Sequence, residues 1–169
     1  AAIDLYMQER MKNGFINGYI TRAFSHTGPR RGNIFSISSD AYQLARMILG
    51  KQNKILLVGN LKTKRAVLDV RDVANAYYLL MLSNKSNGQV FNVCDDKYFE
   101  MKYYTDIIVE KSNLSNIEYK IHKPFYRPID IEVQLGDSRR LKETTGWEKE
   151  IRIEQTLEDL LDYWVKKIG

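Results

Sequence analysis

Several features that mark other protein classes are scarce or missing in this chain of 169 residues. Its single cysteine, Cys94, cannot form an internal disulfide, which favours a reducing, cytoplasmic setting. No apolar stretch approaches the ~18 residues that span a bilayer, so we predict no membrane partner. No Gly-x-Gly-x-x-Gly follows a predicted strand, so that glycine turn of a dinucleotide site is missing. His26 and His122 have no companions at ligand spacing, and we predict no metal site.

The charge of the chain is mixed and only mildly basic. Its 26 lysines and arginines against 21 acidic residues give a net charge of +5. This balance favours anionic partners weakly and does not by itself indicate nucleic acid. The length and the 44% hydrophobic content suit one globular domain or a piece of a larger one.

Hydrophobic periodicity predicts helices that alternate with strands, and this alternation is typical of an α/β fold with a partly parallel sheet. We predict helices over residues 1–13, 72–83, 101–111 and 138–145, and from residue 153 onward. A further helix is predicted to begin behind Ser38 or Ser39 and to end at Gly50. Strands are predicted at residues 18–24, 55–58, 89–94 and 117–121, and residues 124–128 are predicted to be extended. In helix 72–83 the predicted inward face consists of Val73, Ala76, Tyr77, Leu80 and Met81.

Residues 59–77, GNLKTKRAVLDVRDVANAY, place Lys62, Lys64 and Arg65 between a strand and an amphipathic helix. A cationic loop held in this way is a rigid place to bind an anion, most simply a phosphate. The alternative from these residues alone is a solvated loop.

Two further stretches carry cations where a ligand could meet them. RAFSHTGPRRGN (residues 22–33) follows a strand, and open α/β sheets bind ligands at the carboxyl ends of their strands. YRPID (residues 126–130) carries Arg127, which could clamp a phosphate with two hydrogen bonds. The alternatives are a basic surface turn for the first stretch and a surface ion pair between Arg127 and Asp130 for the second.

Taken together, these blocks resemble the C-terminal part of the extended short-chain dehydrogenase/reductase family of nucleotide-sugar enzymes. The resemblance is closest to GDP-mannose 4,6-dehydratases and GDP-4-keto-6-deoxymannose reductases. RAFSHTGPRRG is similar to R-x-F-N-H-x-(G/S)-P-R-R-G, and VGNLKTKRAVLDVRDV is similar to V-G-N-L-x-A-(K/V)-R-D-(F/W)-x-D-V-R-D. GQVFNVC, RPIDIEVQLGD and KETTGW match later blocks in the same order.

The resemblance implies the C-terminal portion of a Rossmann-type enzyme: the last strands of its parallel sheet and a small α/β substrate-binding domain. Residues 1–24 and 70–95 would end the cofactor-binding domain, and residues 25–69 and 96–169 would mainly bind the sugar nucleotide. The catalytic tyrosine and lysine, and the glycines that hold NADP or NAD, are expected upstream of Ala1. By itself the chain is therefore expected to bind no cofactor tightly and to show no turnover.

The resemblance also assigns site residues. Arg65 and Arg127 would hold the diphosphate of a GDP-sugar, with Lys64 and Asp130 at the same site. Arg30 and Arg31 match the Pro-Arg-Arg-Gly loop near substrate and cofactor, and Phe24 with Arg31 would face the cofactor. Three positions depart from the pattern: Ser25 replaces an asparagine expected near the diphosphate, Ala66 an aspartate and Ile34 an asparagine.

Dehydratase, reductase and epimerase activities all remain open at this point, and the Pro-Arg-Arg-Gly block with Lys64 favours a dehydratase. A different class of protein, a small basic nucleic-acid-binding domain, would use the same cationic loops and the eleven tyrosines. A third reading is an oligomer-forming protein without a ligand. We also expect homo-oligomers, formed through an apolar surface around Ile20, Phe24, Val90, Phe91 and Val93.

Overall fold

The computed structural model describes residues 2–126 and 130–169. The helices are α1 (Ala2–Lys12), α2 (Ser36–Ile48), α3 (Val70–Leu82), α4 (Met101–Lys111), α5 (Arg139–Thr145) and α6 (Ile153–Ile168). The strands are β1 (Ile20–Ala23), β2 (His26–Thr27), β3 (Ile55–Val58), β4 (Lys64–Arg65), β5 (Leu68–Asp69), β6 (Val90–Val93), β7 (Phe99–Glu100), β8 (Glu118–Ile121) and β9 (Val133–Gln134). A 3₁₀ turn covers Lys123–Phe125.

Strand pairing is mostly parallel, as the alternation of helices and strands predicts. The pairs β1–β6, β2–β5 and β3–β8 are parallel. A mixed sheet of three strands has β4 at its centre, antiparallel to β7 and parallel to β9. β4 carries two of the predicted site residues, Lys64 and Arg65.

Two hydrophobic clusters form the core. The first joins β3 to helices α2, α4 and α6, and its fully buried side chains include Leu44, Leu56, Tyr104, Ile108 and Leu160. The second joins β5, β6, α3 and α5, with Leu68, Leu80, Phe91, Leu141 and Trp147 at its centre. The helix predicted from residue 153 onward is found as α6, and its apolar face is buried through Leu157, Leu160, Leu161 and Trp164.

Two helices begin at other residues than predicted. α2 begins at Ser36, behind Phe35 and without a side-chain cap, because the hydroxyl of Ser38 donates to the carbonyl of Arg31 instead. α3 begins at Val70, where Asp69 is the N-cap and accepts a hydrogen bond from the amide of Arg71. The carboxylate at a helix N-terminus satisfies a backbone donor that the helix itself leaves open.

The prolines of residues 124–128 do not keep the whole stretch extended. Its first residues form the 3₁₀ turn that begins at Lys123, and residues 127–129 lie outside the described part of the chain. All four residues of β8 are exposed. Pairing with β3 on one edge therefore leaves both faces of this short strand accessible.

The apolar surface differs from the predicted one. Phe91 and Val93 are buried beneath α3 and α5 and cannot serve association. On α3, Tyr77 and Met81 face outward, because only one in three or four positions of a helix meets the sheet. The exposed apolar residues include Ile3, Leu5 and Tyr6 of α1 together with Tyr78, Met81 and Leu82 of α3. Association of the chain remains a prediction.

Within the described residues, none of the helices combines the length and the apolar character needed to cross a membrane.

Candidate functional site

Arg65 lies in β4 at the centre of the three-stranded sheet. Its Cα partner on the parallel strand β9 is Gln134. Side chains of residues paired in this way project from the same face of a sheet. The guanidinium of Arg65 and the carboxamide of Gln134 are therefore neighbours.

Ser25 reaches the same face from the end of β1. Its hydroxyl donates a hydrogen bond to Oε1 of Gln134 at 2.9 Å, across 109 residues of sequence. Its backbone carbonyl accepts from the amide of Leu68 in β5 at 3.0 Å. The serine is thus fixed on both sides, and it connects the first strand of the chain with the sheet that carries Arg65.

Asp130 is the fourth member of this group, which we call the Arg65 cluster (Ser25, Arg65, Asp130 and Gln134). Nη2 of Arg65 donates to Oδ1 of Asp130 at 2.9 Å, and Nη1 donates to the carbonyl of Lys64 at 2.8 Å. The Arg65 side chain is 15% exposed. A guanidinium carries five N–H donors, so these two bonds leave donors for an anion. Asp130, which the sequence offered as a possible partner of Arg127, forms an ion pair with Arg65.

Arg127 lies outside the described residues, and its part in the site stays a prediction. Lys64 is next to Arg65 in β4, so its side chain projects from the opposite face of the strand. Its amide donates to the carbonyl of Glu132 and holds the segment before β9 in place. Lys62 is exposed in the loop that precedes β4.

Phe24 lies under the segment that carries the cluster. A Cβ atom built on Gly136 would come within 2.7 Å of the Phe24 ring and within 2.7 Å of the sulfur of Cys94. Only glycine permits this close passage of the chain over the ends of β1 and β6. Cys94 is buried, and burial raises the pKa of its thiol to about 11, which keeps the group protonated.

The Pro-Arg-Arg-Gly motif forms a separate structure, which we call the arginine loop (residues 28–35). Arg30 is exposed and adopts a positive φ of 74°. The guanidinium of Arg31 stacks on the ring of Phe35, with 3.5 Å between Cζ and the ring centroid. In the described part of the chain, no hydrogen bond links this loop to the Arg65 cluster.

The arginine loop and the residue just before it carry buried polar atoms that lack partners among the described residues. Nε of Arg31 and Oγ1 of Thr27 are both buried in this way. Nδ1 of His26 lies 2.9 Å from the carbonyl of Phe24, so this histidine has a local structural contact. Unpartnered buried donors are costly, and a ligand oxygen would relieve that cost.

Asp40 of α2 is a buried carboxyl that the sequence did not reveal. It contacts the hydroxyl of Thr105 in α4 at 2.8 Å. Burial raises the pKa of Asp40 to about 7, against a smaller opposite effect of the Thr105 hydrogen bond. It lies within the first hydrophobic cluster and supports the helix that follows the arginine loop.

Three Tyr-x-x-x-Lys spacings occur in the chain: Tyr98–Lys102, Tyr119–Lys123 and Tyr163–Lys167. Lys102 pairs with Asp106 on α4, and Lys167 donates to the hydroxyl of Tyr163 on the surface of α6. Among the described residues, no hydrogen bond connects these pairs to the Arg65 cluster. They therefore give no support for a catalytic pair at this site.

A surface hollow of 280 Å³ lies beside the strand that follows Arg65. Its walls include Val67, Tyr103, Tyr104 and residues 149–154, which lead into α6. Tyr104 donates its hydroxyl to the carbonyl of Arg65 at 2.7 Å. The hollow includes none of the predicted site residues, and the tyrosine acts on the site only by fixing the backbone of β4.

Comparisons with known proteins were made on both sequence and structure. Residues 5–160 match the sequence model of the family described as GDP-mannose 4,6 dehydratase. The GDP-6-deoxy-D-mannose reductase of Pseudomonas aeruginosa is 34% identical over 151 residues, which cover 88% of this chain and 48% of the relative. GDP-mannose 4,6 dehydratase 1 of Arabidopsis thaliana is 26% identical over 140 residues, or 82% of this chain and 38% of the relative.

Among solved structures, RMD from Pseudomonas aeruginosa complexed with NADPH superposes with a TM-score of 0.87 at 29% identity, over 95% of this chain and 52% of the other. A UDP-glucose 4-epimerase from Thermotoga maritima with UDP-glucose shares the fold, with a TM-score of 0.80 at 20% identity, over 99% of this chain and 52% of the other. The chain spans about half the length, or less, of the curated relatives described above. The α/β fold of a Rossmann-type extended short-chain dehydrogenase/reductase is confirmed.

Proposed function

The chain belongs to the GDP-mannose 4,6-dehydratase family, and we propose that it binds the diphosphate of a GDP-sugar for an NAD(P)-dependent reaction. The observation that carries this proposal is the Arg65 cluster. Segments that are far apart in sequence converge there on one half-buried arginine with unused donors. Arginine and phosphate form charge-assisted, bidentate hydrogen bonds, which are stronger and more directional than neutral ones.

Each member of the cluster has a distinct part in the proposed binding. Arg65 supplies positive charge and donors to the diphosphate. Asp130 holds the guanidinium in place before the ligand arrives, and Tyr104 fixes the backbone of the strand. Arg127 is proposed as the second cation at the diphosphate, as the sequence blocks predict.

The arginine loop is proposed to face the cofactor. Nε of Arg31 is buried and has no partner among the described residues, and such a donor fits a phosphate or carboxamide oxygen of NADP. Phe24, just after β1, is the second residue proposed to face the cofactor. NADPH, when bound, would supply the hydride, while Arg31 would help to bind and orient it.

For the reaction itself, we propose a reductase acting on GDP-4-keto-6-deoxymannose. The relative named as a reductase is 34% identical to this chain, whereas the Arabidopsis dehydratase is 26% identical. A dehydratase acting on GDP-mannose is the second candidate, because the Pro-Arg-Arg-Gly block and Lys64 favour it. The two candidates share the diphosphate site and differ in the sugar that it positions.

Binding of GDP tests the diphosphate site directly. Calorimetric titration of the wild-type chain with GDP is compared with that of Arg65→Ala, Arg127→Ala and the control Lys142→Ala. Lys142 already pairs with Asp96 and Glu148 at the surface of α5, so its removal should leave the affinity unchanged. Loss of charge-assisted bonds should weaken binding about 10- to 100-fold for either arginine variant. Equal losses of GDP affinity in all three variants would indicate binding by the overall positive charge and would contradict a specific diphosphate site at Arg65 and Arg127.

The choice between the two reactions is tested with the two sugars. The same titration compares GDP-mannose with GDP-4-keto-6-deoxymannose, with UDP-glucose as the control for the base. A preference for the keto sugar supports the reductase, and a preference for GDP-mannose supports the dehydratase. Preference for UDP-glucose would contradict both.

A further inference from the structure

Gln134 was not among the residues predicted for the site, yet it lies at its centre. We propose that the carboxamide of Gln134 donates a hydrogen bond to a phosphate oxygen of the bound nucleotide sugar, and that Ser25 orients this amide. The proposal rests on the proposed function, because it identifies a further ligand-binding residue of the same site. Gln134 would bind the ligand directly, and Ser25 would be a positioning residue.

The position of Gln134 is the first argument. It is the Cα partner of Arg65 on β9, and both side chains project from one face of the sheet. Both residues are half-buried, so each is held by its surroundings and still accessible from outside. An oxygen that accepts from the guanidinium lies within reach of an amide on the adjacent strand, since paired strands are ~5 Å apart.

The orientation of the amide is the second argument. The hydroxyl of Ser25 donates to Oε1 of Gln134, so the carbonyl end of the amide is occupied. The two hydrogens on Nε2 are left as donors, and among the described residues no side chain or carbonyl accepts them. A half-buried NH₂ group of this kind is suited to an external acceptor.

The chemistry of the site gives the third argument. Arg65 is partly neutralised by Asp130, so a phosphate there needs donors beyond the guanidinium. The resemblance to the family places an asparagine amide where this chain has Ser25, and serine has no amide N–H. In this structure the side-chain amide belongs to Gln134 of β9, and it contacts the smaller serine side chain. The pair Ser25–Gln134 therefore provides both the hydroxyl and the amide.

The test uses two substitutions at Gln134. Gln134→Glu keeps the size of the side chain, removes its donors and adds a negative charge. Gln134→Met keeps the size and removes all polarity. We expect GDP affinity to fall about 30-fold for the glutamate and about fivefold for the methionine. Affinity for guanosine, which has no phosphate, should not change.

Gln89 provides the matched control for both substitutions. It precedes β6, at the amino end of the β1–β6 pair, whereas Ser25 lies beyond the carboxyl end of that pair. It is exposed, and its side-chain amide donates to the carbonyl of Lys85. Gln89→Glu and Gln89→Met should bind GDP like the wild type.

Ser25 is tested through its effect on Gln134. Ser25→Ala should weaken GDP binding about threefold, and Ser25→Thr, which retains a hydroxyl, should restore it. In the Gln134→Met background, Ser25→Ala should have no further effect, because the serine acts only through the amide. In ¹H–¹⁵N spectra, the side-chain NH₂ signals of Gln134 should shift when GDP is added and stay in place when guanosine is added.

The outcomes separate this inference from the proposed function. If the wild-type chain binds neither GDP nor a GDP-sugar, both are overturned. If the wild type binds and Arg65→Ala does not, while both Gln134 variants bind like the wild type, only the inference is overturned. Unfolding midpoints of the Gln134 variants are measured alongside. If a Gln134 variant does not fold, the shift of the Gln134 NH₂ signals in the wild-type chain serves as the test. No shift on addition of GDP would then overturn the inference.

Discussion

The Arg65 cluster and the arginine loop both match family blocks rich in cations, yet they are built in opposite ways. In the cluster, polar groups from distant segments satisfy one another, and Arg65 is held by Asp130 and by the carbonyl of its neighbour. In the loop, Arg31 stacks on Phe35 and leaves its buried Nε without a partner among the described residues. The polar groups of the cluster are paired with one another before any ligand binds. The loop contains a buried polar atom that has no hydrogen-bond partner among the described residues.

This difference indicates which region contributes to ligand affinity and which region lowers the stability of the fold. A preorganised cluster loses little entropy when it binds, so its arginine should dominate the affinity for a diphosphate. Buried polar groups without partners lower the stability of the fold until something satisfies them. Variants on the two sides should therefore affect different measurements: ligand affinity for the cluster and stability for the loop and its supporting helix.

The largest effect is expected at Asp40, in the helix that follows the arginine loop. Its pKa rises from 3.8 to about 7 on folding, because burial disfavours the charged form. The unfolded chain releases this proton near pH 4 and the folded chain near pH 7, so stability falls between those values and is constant above them. At ~1.4 kcal/mol per pH unit the loss is on the order of 4 kcal/mol. Asp40→Asn should abolish it.

Urea unfolding at pH 5 and pH 8 spans about two of these three pH units and should show a loss on the order of 3 kcal/mol in the wild type and none in Asp40→Asn. Neither neighbour of Asp40 titrates between those pH values: the Thr105 hydroxyl does not ionise there, and burial, with smaller contributions from Asp106 and Asp40, raises the pKa of Tyr119 above its ordinary value. Exposed Asp162 provides the control, because Asp162→Asn should leave the pH dependence intact. An unchanged slope in Asp40→Asn would show that another group titrates.

The second prediction contrasts the two arginines directly. Arg65→Ala should weaken GDP binding about 30-fold, since it removes charge-assisted bonds from a half-buried site. Arg30→Ala, at an exposed position of the loop, should change it less than about threefold. A larger loss at Arg30 would show that the loop, and not the cluster, binds the diphosphate. Both affinities are measured by calorimetric titration.

A smaller effect is expected at Phe35, whose ring supports Arg31. Phe35→Leu removes the stacking contact and should lower the free energy of unfolding by about 1 kcal/mol. GDP affinity should stay unchanged, because the cluster does not depend on this contact. Phe125→Leu, at another exposed ring, is the control. A loss of GDP affinity in Phe35→Leu would show that the arginine loop and the Arg65 cluster are energetically coupled, although no hydrogen bond connects them in the described part of the chain.

The smallest effect is expected for Ser25→Asn, which introduces the residue that the family pattern has at this position. The new amide restores a donor but crowds Gln134, so affinity for GDP should hold within about threefold or improve. Calorimetric titration measures the change. A marked loss would show that the site is built for the serine–glutamine pair.

Regular periodic elements were predictable from the sequence, and short strands were not. α4 and α6 were found where their apolar spacing placed them, because three or more turns give a clear pattern. β2, β4, β5, β7 and β9 have two residues each, and no alternation can be read from so few. The mistaken start of α2 has a specific cause: Ser38 has the chemistry of a cap, but its hydroxyl bonds to Arg31.

The site was predictable only in part for a similar reason. Arg65 and Asp130 could be selected from motifs, and the structure joins them. Gln134 could not, because its role depends on register with Arg65 and on contact with Ser25, 109 residues away. Asp40 was also missed, since a single aspartate in an amphipathic helix gives no sign of facing inward.

The hydroxyl of Ser38 has a consequence for the order in which the chain acquires its shape. It donates to the carbonyl of Arg31 and accepts from the indole of Trp164, which lies 126 residues later. During synthesis, the arginine loop is made before its anchor Trp164, which follows Ser38 by 126 residues. Contacts of such long range form late in folding. Removal of α6 at the end of the chain should therefore leave the loop without its anchor.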